Sequence, residues 1–333
     1  MNQISRVLPV LSLTTALLLG AATSHASDEK PKIVTSLTPI ELLAKAVAGD
    51  QVTVTTLVPA GASPHTYQLR PSERRQLAAA DQIFWVGPGM ESFLERLLTG
   101  PDFRDRSVTL MPGADTESHR AEASHGHDSH DGHDSHDGDD SHHESVSADT
   151  HDHGHDHGDG EDPHIWLDPA LALAMAEKIA HSIEGLDGVD ASRIDENLAD
   201  FEAALKEREA AIRQQLQPAK DLDLFTYHDA FRRFAEHYGL AIAGVLTLSP
   251  ERTPGARHLA EVQQRLQRAD QPCLLTEPQF NEQWWESLMT DVDIPISTWD
   301  PLAGGIESSP TGYLEFQQSL ADAVLRCLPE SAQ

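Results

Sequence analysis

Three histidines and one aspartate stand where β-like runs give way to loops, and these are the residue types that bind zinc. His65 lies in PAGASPHTYQLRPS, His164 in EDPHIWLDP, His228 in TYHDAF and Asp300 in TWDPLAGG. Two of these stretches precede a long helical segment in the middle of the chain, and two follow it. Three imidazoles and a carboxylate that meet in one cleft would suit a tetrahedral zinc ion.

Spacing alone does not select this set. The histidines are separated by 99 and 64 positions and form no local motif such as HExxH. The remaining histidines outside the insert described next are interpreted as ordinary side chains on predicted helices (His181, His237 and His258) or as part of an export signal (His25).

A histidine-aspartate insert at 115–160 interrupts the chain just before His164. The stretch from His119 to His157 contains twelve of the nineteen histidines, and no aromatic residue occurs in it. This composition predicts a disordered, solvated linker. It also predicts weak, multivalent zinc binding, and both interpretations are kept. The accessory zinc-binding residues would be His125, His127, His130, His133, His136, His142, His143, His151, His153, His155 and His157.

The net charge and the predicted cellular compartment further restrict the possible functions. The formal net charge is −30, and the stretch 115–162 supplies about half of it with sixteen acidic residues against one arginine. Such a chain favours cations over nucleic acid as partners. Residues 1–26 resemble a cleavable secretory signal peptide, so we expect an exported, soluble, periplasmic protein. In that compartment Cys273 and Cys327 are expected to form a disulfide, with two buried free thiols as the alternative.

The order of predicted elements indicates an α/β fold with two lobes. Strand-like runs alternate with helices after Lys32 and again after Asp221, which is typical of parallel sheets flanked by helices. Thr38 is predicted to cap the first helix, with Glu41 completing a capping box. We predict an N-terminal lobe over 27–190, a single long, rigid helix over 191–217 and a C-terminal lobe over 218–333. Ligands bind such sheets beyond the carboxyl ends of the strands, so the metal site is expected in the cleft between the lobes.

The four motifs together resemble the cluster A-I metal-binding proteins of bacterial ABC importers, specifically their periplasmic zinc-binding components. The likeness runs from about Ile33 to Leu328, interrupted by the insert. It implies that His65, His164 and His228 are ligands, and that Asp300 corresponds to the family carboxylate. Zinc members complete the coordination shell with water or a nearby carboxylate. The resemblance also implies a disulfide between a strand and the final helix of the C-terminal lobe, where the two cysteines lie.

The resemblance implies zinc as the transported ligand, and a membrane permease with a cytoplasmic ATPase as partners. We expect a monomer without catalytic activity. Manganese and iron members typically have Glu where His228 stands, so the imidazole favours zinc over harder cations. Three alternatives remain: a manganese or iron importer component, an exported zinc hydrolase and a zinc storage protein built on the insert. A hydrolase could use three histidines and an open position, but the chain has neither HExxH nor GxSxG.

Overall fold

The computed structural model describes residues 29–113, 161–247, 254–280 and 294–329. Three sequence predictions lie outside these ranges: the signal peptide at 1–26, the histidine-aspartate insert at 115–160 and the helix that the stretch EQWWESLMTD predicts over 282–291.

The N-terminal lobe is a four-stranded parallel sheet with the order β2-β1-β3-β4. Because parallel neighbours need crossover connections, helices alternate with the strands. In chain order the elements are β1 (Lys32–Thr35), α1 (Thr38–Ala48), β2 (Thr53–Thr56), α2 (Pro71–Ala79), β3 (Gln82–Trp85), α3 (Ser92–Leu98), β4 (Ser107–Thr109) and α4 (Pro169–Ile183).

The C-terminal lobe repeats this plan with the order β6-β5-β7-β8, again all parallel. A long helix, α5 (Ala191–Gln215), connects the two lobes. The elements that follow are β5 (Asp223–Thr226), α6 (Arg232–Tyr238), β6 (Ile242–Val245), α7 (Ala256–Arg268), β7 (Pro272–Thr276), β8 (Ile296–Thr298) and α8 (Gly312–Leu325). The predicted fold class, two parallel-sheet lobes joined by one long helix, is confirmed.

The hydrophobic core is continuous between the lobes. One cluster of buried side chains includes Ile33 and Leu43 of the N-terminal lobe, Ile212 of α5, and Leu224 and Leu320 of the C-terminal lobe. The last helix, α8, packs against both α1 and α5. None of the helices in the described ranges has the length and apolar character needed to span a membrane.

The predicted cap of α1 is wrong. Thr38 is the first helical residue, and Leu37 takes the cap position without a side-chain hydrogen bond. Glu41 instead accepts hydrogen bonds from the hydroxyls of Thr56 and Ser308. These contacts connect α1 to β2 and to the loop before α8. Glu41 therefore accepts hydrogen bonds from distant residues in place of the predicted capping-box bond. At the other end of the helix Gly49 adopts a positive φ of 59°, which glycine does at little steric cost.

The predicted disulfide is confirmed. Cys273 and Cys327 are bonded, with their Cα atoms 5.8 Å apart, and both side chains are buried. The bond connects β7 to the turn after α8.

Candidate metal centre

The structure brings His65, His164 and His228 together. One nitrogen of each imidazole lies within 4.8 Å of one nitrogen of the other two. His65 lies in the loop after β2, His164 precedes the short 3-10 turn at Ile165–Leu167, and His228 follows β5. His164 and His228 are each 5% exposed, whereas His65 is half-buried. The geometry therefore joins residues of both lobes, as the cleft hypothesis required.

A carboxylate orients His228 from the side away from the other imidazoles. Nδ1 of His228 lies 2.7 Å from Oε1 of Glu277, which follows β7 and is 3% exposed. Because a carboxylate accepts, Nδ1 carries the proton and Nε2 keeps its lone pair. That Nε2 lies 3.4 Å from Nε2 of His164. The two nitrogens available for a metal thus face each other.

Asp162 orients His164 in the same way. Its Oδ1 accepts from Nδ1 of His164 at 2.7 Å and from the backbone N–H of the same residue at 3.0 Å. Arg233 of α6 lies 3.4 Å from Oδ2 of Asp162 and also donates to its backbone carbonyl. A cation of the C-terminal lobe therefore holds the carboxylate that positions a histidine of the N-terminal lobe.

Burial keeps His164 in the form that binds metal. Desolvation lowers the pKa of His164 below the usual value, and the hydrogen bond with Asp162 offsets this only in part. Desolvation acts to raise the pKa of Asp162, but the hydrogen bonds and charge of His164, together with Arg233, bring that pKa below its usual value. A neutral imidazole beside an ionised carboxylate is the state that coordinates a cation.

The cavity between the three imidazoles is small. Its volume is about 20 Å³, and Trp166, Phe280 and Leu302 contribute apolar walls. A single water needs roughly 10–15 Å³ on this measure. The space therefore accommodates one or two occupants of the size of a water molecule or an ion.

Asp300 does not belong to the group of three histidines. It follows β8, as predicted, but its Oδ1 accepts from the side-chain amide of Gln279 and from the backbone N–H of Leu302 at 3.0 Å. Its Oδ2 accepts from the backbone N–H of Gly304 at 2.8 Å. A ligand role for Asp300 thus stays a prediction, and in this structure three donors occupy its oxygens.

The sequence motifs did not predict Asp162 or Gln279 at the site, nor the contact between Glu277 and His228. A local signal existed for Asp162, which stands two positions before His164. The partners Glu277 and His228 are separated by 49 positions. Only the adjacent strands β5 and β7 bring those two residues together.

The family model described as "Zinc-uptake complex component A periplasmic" matches residues 33–327. The chain belongs to this family. The resemblance seen in the four motifs is thereby confirmed over most of the chain, and the family consists of substrate-binding components of transport systems.

Two relatives support the family assignment at full length. Both are named "High-affinity zinc uptake system protein ZnuA". The one from Yersinia pestis is 32% identical over 321 residues, covering 95% of this chain and 96% of the relative. The one from Haemophilus ducreyi is 33% identical over 323 residues, covering 96% and 99%.

A solved structure supports the fold. The structure titled "Crystal structure of ZnuA" superposes with a TM-score of 0.65 at 22% identity, covering 89% of this chain and 100% of that one. At that identity the likeness concerns the architecture of the two lobes and not the metal.

Proposed function

We propose that this protein is the zinc-binding component of a zinc uptake system and that it holds one zinc ion between His65, His164 and His228. The observation that carries the proposal is the meeting of three imidazole nitrogens from both lobes within 4.8 Å. Two of these imidazoles have their other nitrogen bonded to a carboxylate. Such carboxylate–histidine pairs are typical of zinc sites.

Zinc is favoured over manganese and iron by the ligand set. Imidazole is a softer ligand than carboxylate, and hard cations prefer oxygen. The relatives from Yersinia pestis and Haemophilus ducreyi carry zinc uptake in their names. The alternative of a manganese or iron importer component is therefore not favoured.

The protein would deliver its zinc to a membrane permease powered by a cytoplasmic ATPase. This assignment comes from the family, which works with an ABC importer. We infer that the protein acts in the periplasm, in line with the description of the matching family, and we expect it to be a monomer. We assign no catalytic activity, because the family consists of substrate-binding components of transport systems.

The ligand assignment is tested by zinc titration in competition with a chelating dye strong enough to suppress weak sites. His65→Ala, His164→Ala and His228→Ala should each reduce the affinity of the tight site by about 100-fold or more. Changes to outer partners alone cost 10–100-fold. The matched control is His181→Ala, on α4, whose side chain is 89% exposed. If the three test variants bound zinc as tightly as the wild type and the His181→Ala control, the site would lie elsewhere.

A further inference from the structure

An aromatic ring lies beside each of the two buried imidazoles of the proposed zinc site. Trp166 packs edge-to-face against His164, with the ring centroids 5.4 Å apart, and Phe280 packs in the same way against His228, at 5.5 Å. Both aromatic rings also form part of the wall of the cavity between the three histidines. Each of these two imidazoles therefore has a carboxylate that orients it and an aromatic neighbour that borders the cavity.

The Trp166 ring offers the cavity only carbon. The side chain is fully buried, and its N–H donates to the backbone carbonyl of Pro301 at 2.7 Å. An indole has no polar group besides this N–H, so none is left for a metal or a water. The backbone of Trp166 is held as well, because its carbonyl accepts from the Tyr313 hydroxyl at 2.8 Å. Two hydrogen bonds with the C-terminal lobe thus fix this part of the wall.

The Phe280 ring is fixed by stacking. It lies on the ring of Tyr227, with the centroids 4.4 Å apart and the planes 8° from parallel. Tyr227 is itself buried in a small apolar cluster of the C-terminal lobe, against which Phe280 packs. The backbone N–H of Phe280 donates to the carbonyl of Glu277 at 3.4 Å, in the turn after β7. These contacts hold a half-buried ring in place beside His228.

An apolar wall acts differently on zinc and on six-coordinate cations. Zinc is usually four-coordinate in proteins and binds imidazole readily. Mg²⁺ and Mn²⁺ prefer six ligands, mostly oxygen, and Mg²⁺ usually keeps several waters of hydration. In the described part of the chain, the surface that the wall presents to the cavity is apolar. Metal-bound waters beside carbon would lose their hydrogen-bond partners, which disfavours the ions that keep such waters.

We propose that Phe280 is a specificity-determining residue, which together with Trp166 keeps the bound metal four-coordinate and thereby disfavours cations that need six ligands. This inference rests on the proposed zinc site. The three imidazoles favour zinc as ligands, and the aromatic wall acts against its competitors. A change of Phe280 should therefore alter the choice of metal without removing a ligand.

Co²⁺ serves as the probe of coordination number, because its visible absorption is strong in a four-coordinate site and weak in a six-coordinate one. One equivalent of Co²⁺ is added to the full chain, and the spectrum of the His228→Ala chain is subtracted to remove any binding outside the site. We expect the strong four-coordinate spectrum from the wild type. Phe280→Ala should lose most of this absorption, because the space left by the ring admits waters that bind the metal and one another.

Competition with Mn²⁺ measures selectivity in the same samples. Phe280→Ala should release its cobalt at an Mn²⁺ concentration about tenfold lower than the wild type needs, the lower end of what the shape of a pocket contributes to discrimination. The matched variant is Phe280→Leu, which keeps the wall apolar and should hold its cobalt as the wild type does. Melting curves of the metal-free chains are the folding control. Phe280→Val replaces Phe280→Ala in both measurements if the alanine variant does not fold.

Three results would contradict this role of Phe280 and leave the proposed function intact. In the first, Phe280→Ala keeps the spectrum and the Mn²⁺ resistance of the wild type. In the second, the wild type itself gives a six-coordinate spectrum. In the third, Phe280→Leu admits Mn²⁺ as readily as Phe280→Ala. If instead the His228→Ala chain gave the same spectrum as the wild type, the proposed zinc site itself would be wrong.

Discussion

At the scale of single residues, the site depends on the groups behind the imidazoles as much as on the imidazoles. Asp162 and Glu277 each accept the Nδ1 proton of a histidine at 2.7 Å. This bond selects the tautomer, fixes the ring plane and raises the basicity of the nitrogen that faces the metal. Zinc affinity should therefore respond to residues that never touch zinc.

Asp162 provides a direct test of this dependence. Asp162→Ala should lower zinc affinity by roughly 10–100-fold, the usual cost of removing a partner of a metal-bound histidine. The matched control is Glu161→Ala, which removes the neighbouring carboxylate. Glu161 is 61% exposed and only reaches Arg233 at 3.5 Å. Competition titration of both variants decides the matter, and equal affinities for the two would contradict the role assigned to Asp162.

At the scale of elements, the segment 161–167 belongs to one lobe and is fastened to the other. Arg233 of α6 holds Asp162. The indole N–H of Trp166 donates to the carbonyl of Pro301 at 2.7 Å, and the Tyr313 hydroxyl of α8 donates to the carbonyl of Trp166 at 2.8 Å. The C-terminal lobe therefore fixes the position of His164, whose chain comes from the N-terminal lobe.

His237 makes a second connection between elements. On α6, its Nε2 lies 2.9 Å from Oε1 of Glu209 on α5, and its Nδ1 lies 3.4 Å from Oδ1 of Asp168, the cap of α4. Arg213 of α5 lies 3.3 Å from the same Nε2. The hydrogen bond with Asp168 is the main cause that raises the pKa of His237, and burial opposes it. Through these contacts His237 links α4, α5 and α6.

This junction predicts a pH-dependent contribution to stability. A raised pKa means that the contribution is complete below the unfolded value of ~6.5 and is lost as the pH rises through the folded value. His237→Gln should therefore destabilise the zinc-free protein by about 1 kcal/mol at pH 5.5 and by less at pH 8.5. Urea unfolding at both pH values measures this, with His181→Gln as the exposed control. A loss that grows with pH would have the wrong sign.

At the scale of the whole molecule, the two sheets form one scaffold around the site. Both follow the same strand order, and a single core cluster runs through both lobes and α5. The C-terminal helix α8 returns to pack on α1. Because the ligands of such a site are already in place, binding of the ion loses little conformational entropy in ordering them.

The histidine-aspartate insert at 115–160 should behave differently from this scaffold. If the insert binds zinc without prior order, ordering the chain costs free energy at each of its sites. Each of these sites is then weaker than the three-histidine site. Deletion of 115–160 should remove several weak zinc equivalents and leave one tight site. Calorimetric zinc titration of the full chain beside the deletion variant measures both classes. Loss of the tight site on deletion would make the insert the main binding element and the protein a store.

The strands were predicted well from the sequence, because β-branched, apolar runs between helices seldom form any structure other than a strand. Their ends could not be predicted closely. The run LDLFTYH, for example, predicts a strand over 222–228, whereas β5 spans Asp223–Thr226. Strand ends depend on where the neighbouring strand stops offering partners, and that is a property of the sheet. The roles of Asp300 and Glu277 depend likewise on packing between distant segments. The histidines were found through motifs, since their separations carry no local pattern.

The proposed zinc site consists of one zinc ion held by three imidazoles from two lobes. Zinc K-edge X-ray absorption tests it on the variant lacking 115–160, loaded with one equivalent of zinc. We expect three imidazole ligands and one further light ligand at about 2.0–2.1 Å. A shell of six oxygens, or one with fewer than three imidazoles, would contradict it.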